Sequence, residues 1–157
     1  MAMAFHDLIN AAADRLQLGG GVDAKAQALD IQFQDDHPVR IEHHDSRGQI
    51  SLAGAIGFYP PQAQQARLFE TLLQAQLYGL LTDGCAFSVD ADASKILLFK
   101  TLPLDGLDAD GLVRALGDFR LVQQTWRKAY ADGKLTAQDT PAPAAAAPGM
   151  SPAINLA

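Results

Sequence analysis

The sequence predicts an α+β fold with the element order α-β-β-β-α-β-β-α, an antiparallel sheet with helices packed on it. Three observations carry that expectation. Apolar residues recur at helical spacing near the start, in the middle and toward the end of the chain. Between these stripes they alternate with period two, the pattern of antiparallel strands with one buried face. Glycine, proline, aspartate and serine stand at the junctions. At 157 residues, 48% hydrophobic and 19% charged, the chain has material for one cored domain and a tail.

The first helix is read from Phe5, Leu8, Ile9, Ala12 and Leu16, which form one narrow stripe. "LGGG", Leu18 to Gly21, is its expected end, because glycine readily takes the left-handed C-cap geometry. Leu29, Ile31 and Phe33 alternate with polar neighbours, as do Val39 and Ile41. "DSRG", Asp45 to Gly48, is a turn. Ile50, Leu52, Ile56 and Phe58 then share a face with Gly54. The opposite face carries Gln49, Ser51, Ala53, Ala55 and Gly57, small enough for a neighbour to pack close on that side.

Pro60-Pro61 opens a second helix, since proline suits the first turn. Its apolar positions fall in two sectors, Leu68, Leu72 and Ala75 in one, and Ala66, Phe69, Leu73, Leu77 and Leu80 in the other. Together they span roughly 180°, against the roughly 100° a surface helix usually buries. Either the helix is central and covered by its own chain, or its second sector meets another copy.

Cys85, Phe87 and Val89 start a hairpin that returns through Ile96, Leu97, Leu98 and Phe99. The intervening "DADAS" invites a calcium reading. A calcium loop starting at Asp90 requires glycine at its sixth position and glutamate at its twelfth; the chain has Lys95 and Thr101 there. The acidic stretch is therefore a turn. Asp108 is a good N-cap for the third helix, whose stripe is Leu112, Ala115, Leu116, Phe119, Val122, Trp126 and Tyr130. Past Ala131 the composition changes. The segment from Thr136 holds four of the eight prolines and a run of alanines. The expected division is a folded domain over 1–131 and a disordered Ala/Pro-rich tail over 132–157.

Composition excludes several functions. Twelve Lys and Arg against 18 Asp and Glu give a net charge of −6, with no dense basic run, so a nucleic-acid partner is not expected. Cys85 is the single cysteine, which rules out an internal disulfide and fits a reducing cytoplasm. No apolar run approaches the roughly 18 residues of a membrane span, and the N-terminus lacks the basic-then-apolar pattern of a secretory signal. The triple glycine lacks a Gly-Lys-Ser/Thr ending, so it is no phosphate loop. His43 and His44 point to opposite faces of a strand, and His37 lies roughly 20 Å from His43 along an extended chain, which is poor metal spacing. There is no Gly-x-Ser-x-Gly elbow. Cys85 on an apolar strand face behaves as a small hydrophobe. No enzyme and no cofactor are expected.

The element order, together with "LFETLLQAQLYG", "FSVDADASKILLFKTLPLDGLD" and "LVRALGDFRLVQQTW", resembles the CesT/Tir-chaperone family, the class I chaperones of bacterial type III secretion, over roughly residues 5 to 130. The exit of the third strand, "IGFYPP", departs from the leucine-proline ending of that pattern, and the tail is an addition. The resemblance implies a cytoplasmic bacterial homodimer with a role in virulence and protein transport. It implies binding, without ATP, of the N-terminal segment of one or more secreted effectors, kept extended and competent for secretion. The ATPase of the secretion apparatus is a further implied partner. The dimer interface is placed by resemblance at Phe69, Leu73, Leu77 and Leu80, with Phe87 nearby. Leu8, Ile31, Phe33, Ile41 and Leu52 are effector-binding candidates by location, the competing reading being ordinary core. The alternative function is a regulatory or scaffold protein of the same fold that binds a folded partner of the secretion system.

Overall fold

A computed structural model of the chain describes residues 4–18, 23, 25–35 and 37–136. Its elements are α1 (Phe5–Arg15), β1 (Ala28–Ile31), β2 (Val39–His44), β3 (Gln49–Phe58), α2 (Gln62–Ala75), β4 (Ala86–Asp90), β5 (Lys95–Pro103) and α3 (Ala109–Ala131), the expected order. The five strands form one sheet in the order β1-β2-β3-β5-β4. Every neighbouring pair is antiparallel, so β1 and β4 are the edges.

The period-two pattern is realised in β3, where Ile50, Leu52 and Ile56 are buried while Ser51, Ala53 and Ala55 are half-buried. The core closes on that face. Leu112, Leu116 and Phe119 of α3 pack over it together with Phe5, Leu8, Ile9 and Ala12 of α1. Asp108 caps α3 as expected, its Oδ1 accepting the Gly111 N–H at 2.7 Å. In the β4–β5 turn Asp90 Oδ1 accepts the Ala93 N–H at 3.0 Å, which makes "DADAS" a side-chain-braced hairpin.

Four details differ from expectation. First, close packing falls on the buried face of β3. A Cβ at Gly54 would stand 2.3 Å from Gln123 Nε2, and one at Gly57 would stand 2.2 Å from the Tyr130 ring. A bulge between Ala55 and Gly57 turns the strand so that both glycines meet α3. Second, α1 ends before the glycines. Gln17 takes the left-handed position (φ 55°). Its N–H donates to Asp14 O at 3.2 Å and the Leu18 N–H donates to Ala13 O at 3.0 Å, the paired bonds of a Schellman cap. Gly19 to Gly21 lie outside the described residues. Third, β1 stops at Ile31, so Phe33 is in the loop beyond it. Fourth, α2 stops at Ala75. A 3-10 turn, Leu77–Gly79, follows with Tyr78 at φ 58°, so Leu77 and Leu80 do not ride on the helix.

After α3, Gly133 (φ 72°) reverses the chain and Leu135 enters the core. Packing thus continues past Ala131, and 137–157 lie outside the described residues.

Candidate binding surfaces

The first surface is built where α2 runs out. Leu68, Leu72 and Ala75 are buried. Leu73, Leu77, Leu80 and Leu81 are exposed, Leu80 by 81%, and Tyr78 by 87%. This concentration of large apolar groups within nine residues is unlike a monomer surface, where they are scattered singly. The loop that carries them is a fixed object. Gly79 approaches Gly84 so closely that a Cβ would sit 2.9 Å from its Cα. The Gly84 N–H donates to Gly79 O at 3.0 Å. The buried Thr82 hydroxyl donates to Cys85 O at 2.6 Å, and Lys100 Nζ donates to Asp83 O at 2.9 Å. Between α2 and β4 lies a hollow of about 280 Å³ lined by Phe69, Leu72, Leu73, Phe87 and Val89. Phe69 meets Tyr59 edge-on, and Phe87 meets Trp126 edge-on with centroids 4.9 Å apart.

The second surface is a groove between the C-terminal half of α1, β1 and α3. Two adjoining hollows of about 290 and 730 Å³ form it, sharing Leu16, Leu18, Gln32 and Leu116. Leu29, Ile31 and Ile41 line the inner hollow, and Phe33 and Val113 line the outer one. The groove follows the β1 edge, the place where an extended chain can add a strand while seating alternate side chains.

A polar cluster fixes the rim of the outer hollow. Arg120 is buried. Its guanidinium donates to Asp35 Oδ2 at 2.7 Å, to His37 O at 3.0 Å and to Gln123 Oε1 at 2.9 Å. Its carbon centre lies 4.2 Å from the centroid of the Phe33 ring. The hydrogen bond from Arg120 holds the Asp35 carboxyl down at about 2, with burial working in the other direction. Asp35 and His37 are therefore pinned to α3, and Phe33 with them.

The other singled-out groups have structural partners. His43 stacks on Phe5 with centroids 4.8 Å apart. His44 bonds to the Ser51 hydroxyl from the strand's other side. Burial pushes the Cys85 thiol upward, with Lys100 opposing it, so the sulfur is a poor nucleophile.

The structure gathers Phe69, Leu73 and Phe87 around one hollow, with Leu77 and Leu80 exposed on the turn and loop just after α2. Tyr78 and Leu81 stand beside them and were missed, because a helical wheel loses phase where α2 stops, and Val89 joins the hollow from β4. The five effector-binding candidates divide. Leu8 and Leu52 are fully buried core residues with no access to a partner, which corrects their placement. Ile41 is also fully buried and contributes only the floor of the groove. Ile31 and Phe33 line it directly. Leu16, Leu18, Leu29, Val113 and Leu116 were not foreseen there. Leu116 belonged to a predicted core stripe, and only the tertiary meeting of α1 with α3 turns that stripe into a wall.

An antiparallel sheet that serves two separate apolar surfaces defines a protein-binding domain. The family model of the Tir chaperone protein (CesT) family matches residues 7–127, and the chain belongs to that family of type III secretion chaperones. No curated protein matches the chain. Among solved structures it is similar to a chain of the HopA1–SchA chaperone–effector complex, at 16% identity and TM-score 0.61 over 78% of this chain and 91% of that one. It is similar to a chain of the ExsC–ExsE complex at 14% identity and TM-score 0.65, covering 80% and 96%. A third is the ExoU–SpcU heterodimeric complex from the type III secretion system of Pseudomonas aeruginosa, at 17% identity and TM-score 0.60, covering 76% and 95%. At these identities the likeness concerns the fold. No helix among the described residues is long and apolar enough to cross a membrane.

Proposed function

We propose that the chain works as a homodimer that binds the N-terminal segment of a secreted effector and keeps it extended, without ATP, in the bacterial cytoplasm. The observation that carries this reading is the presence of two distinct apolar surfaces on one small domain. The Leu73–Leu81 surface beside β4 serves the twin subunit. The groove between α1, β1 and α3 serves the cargo. A stable dimer buries roughly 800 Å² per partner, and the exposed Leu73, Leu77, Tyr78, Leu80 and Leu81 are the side chains that would enter such a contact. Each fixed cargo residue costs about 1–2 kcal/mol of backbone freedom. A long segment is held only if it is contacted over much of its length, which a groove beside a strand edge allows. The ATPase of the secretion apparatus would then act on the loaded complex.

The reading is tested by expressing the tagged chain in a secreting host, recovering it and measuring mass by light scattering. The expected particle is two copies plus an effector whose first tens of residues are protease-protected yet lack helical structure. A monomeric particle, or a dimer loaded with a folded partner, would overturn it; the second result would favour a regulatory or scaffold role.

A further inference from the structure

We propose that His37, Lys95 and Arg127, gathered around the bulge of β3, form an anion-binding site for a side-chain carboxylate of an acidic peptide segment. The three line one concavity of about 220 Å³ with Ala55, Ile56, Gly57 and Phe58. It shares no lining residue with the cargo groove or the α2–β4 surface, and the inference does not rest on either. The register passes from Ala55↔Leu97 to Gly57↔Ile96, which leaves Ile56 outside the ladder and bends the strand around the concavity.

Among the described residues, positive charge here is only partly countered, on a chain whose net charge is −6. Asp35 sits 2.7 Å from Arg120 but 3.8 Å from Arg127. Arg127 turns instead to the His37 ring. Among the described residues Lys95 makes no ion pair. Its Nζ lies 5.8 Å from the Phe58 ring centroid. Burial lowers the Arg127 pKa, Asp35 opposes that, and Arg120 adds to it. The guanidinium fork suits a carboxylate. Phe58, 64% exposed, offers an apolar wall for the methylenes or an aromatic neighbour of the same peptide. The volume is below the roughly 300 Å³ at which small-molecule pockets begin, so it accepts one side chain and no nucleotide.

The test is a nuclear magnetic resonance titration of the full chain with N-acetyl-Glu-Phe-Glu-Glu-amide, its glutamine counterpart, and inorganic phosphate. The acidic peptide is expected to shift His37, Ile56, Gly57 and Lys95 saturably. Lys95→Gln is expected to weaken it about tenfold, and phosphate is expected to bind at least about tenfold more weakly than the peptide. Arg127→Gln also breaks the contacts to Asp35 and His37, so Lys95→Gln, which breaks no ion pair among the described residues, decides. An equal response to the glutamine peptide, or unchanged affinity in Lys95→Gln, overturns the proposal. Phosphate binding as tight as the peptide also overturns it, by making this a site for free small anions. Peptide binding only in Asp36→Asn does so too.

Discussion

The side chain of Gln76, at the C-cap of α2, reaches the edge of the sheet and its Oε1 accepts the Phe87 N–H at 2.7 Å. An edge strand offers its outward N–H and C=O groups to any passing strand. Here one such N–H is taken by the chain itself, at the point where β4 borders the exposed leucines. The bond also ties α2 to β4 beside Phe87, whose ring rests against Trp126.

Gln76→Ala should cost about 1 kcal/mol of stability, the net worth of a typical hydrogen bond. Amide exchange at Phe87 should accelerate. Gln76→Glu keeps an acceptor at neutral pH and should stay near the parent in both respects. Unchanged Phe87 exchange in the alanine variant would show that the bond does not hold the edge.

Leu73→Asp should give monomers. Leu73 is 61% exposed in the isolated subunit, so the variant still folds. At the proposed twofold contact the carboxylate would be buried without a partner, at a cost of several kcal/mol. Light scattering should report the mass of one chain, with a circular dichroism spectrum like the parent's. A dimer of unchanged affinity would remove α2 from the interface.

Acid should loosen the rim of the groove late. The Asp35 carboxyl is held at about 2 against an unperturbed 3.8. A folded value below the unfolded one means that the pair with Arg120 contributes fully above about pH 4 and fades as pH falls toward 2. Asp35 is partly exposed, so solvent screening keeps the contribution modest. Asp35→Asn should be less stable than the parent at pH 7, and the gap should close below pH 3 in urea titrations. A gap that stays constant with pH would rule out the ion pair as its source.

Gly54 marks the closest approach of α3 to the sheet. Gly54→Ala would drive a methyl group into Gln123, which is fully buried and donates to Ala55 O at 3.1 Å while accepting from Arg120. Overpacking costs about 1–3 kcal/mol, and a displaced Gln123 strands Arg120 as well. A fall in melting temperature of several degrees is expected, and a neutral substitution would show that Gln123 has somewhere else to go.

What was legible in the sequence follows the range of each signal. Period-two alternation is local, so the five strands and the hairpin were found, as was Asp108 at the head of α3, although β1 stops short of Phe33 and the bulge turns Gly57 toward α3. Helix ends read less well. Gln17 and Tyr78 take left-handed geometry that nothing in their side chains announces, so α1 and α2 stop earlier than their stripes suggest. Of the candidate binding residues, Leu73 was legible because it is apolar where the helix has no core left to face. The groove was not, since Leu16, Phe33 and Val113 come from three elements and meet only through tertiary packing. The same limit explains Leu8 and Leu52. A stripe identifies what is apolar, and only the assembled fold decides what is covered.

The two surfaces should separate by mutation. Val113 is half-buried on the outer hollow of the groove and is not among the residues around α2. Val113→Asp places a charge where an apolar cargo side chain would seat, and desolvating that charge should weaken cargo binding at least about tenfold. It should leave the dimer intact. Leu73→Asp should do the reverse, breaking the dimer while each subunit keeps its groove. Calorimetry with the effector segment recovered from the secreting host, run beside light scattering, reads both effects. If Val113→Asp binds cargo like the parent, the groove is not the cargo site. If the two variants lose cargo and dimer together, the surfaces are one coupled unit, and the division of labour between them fails.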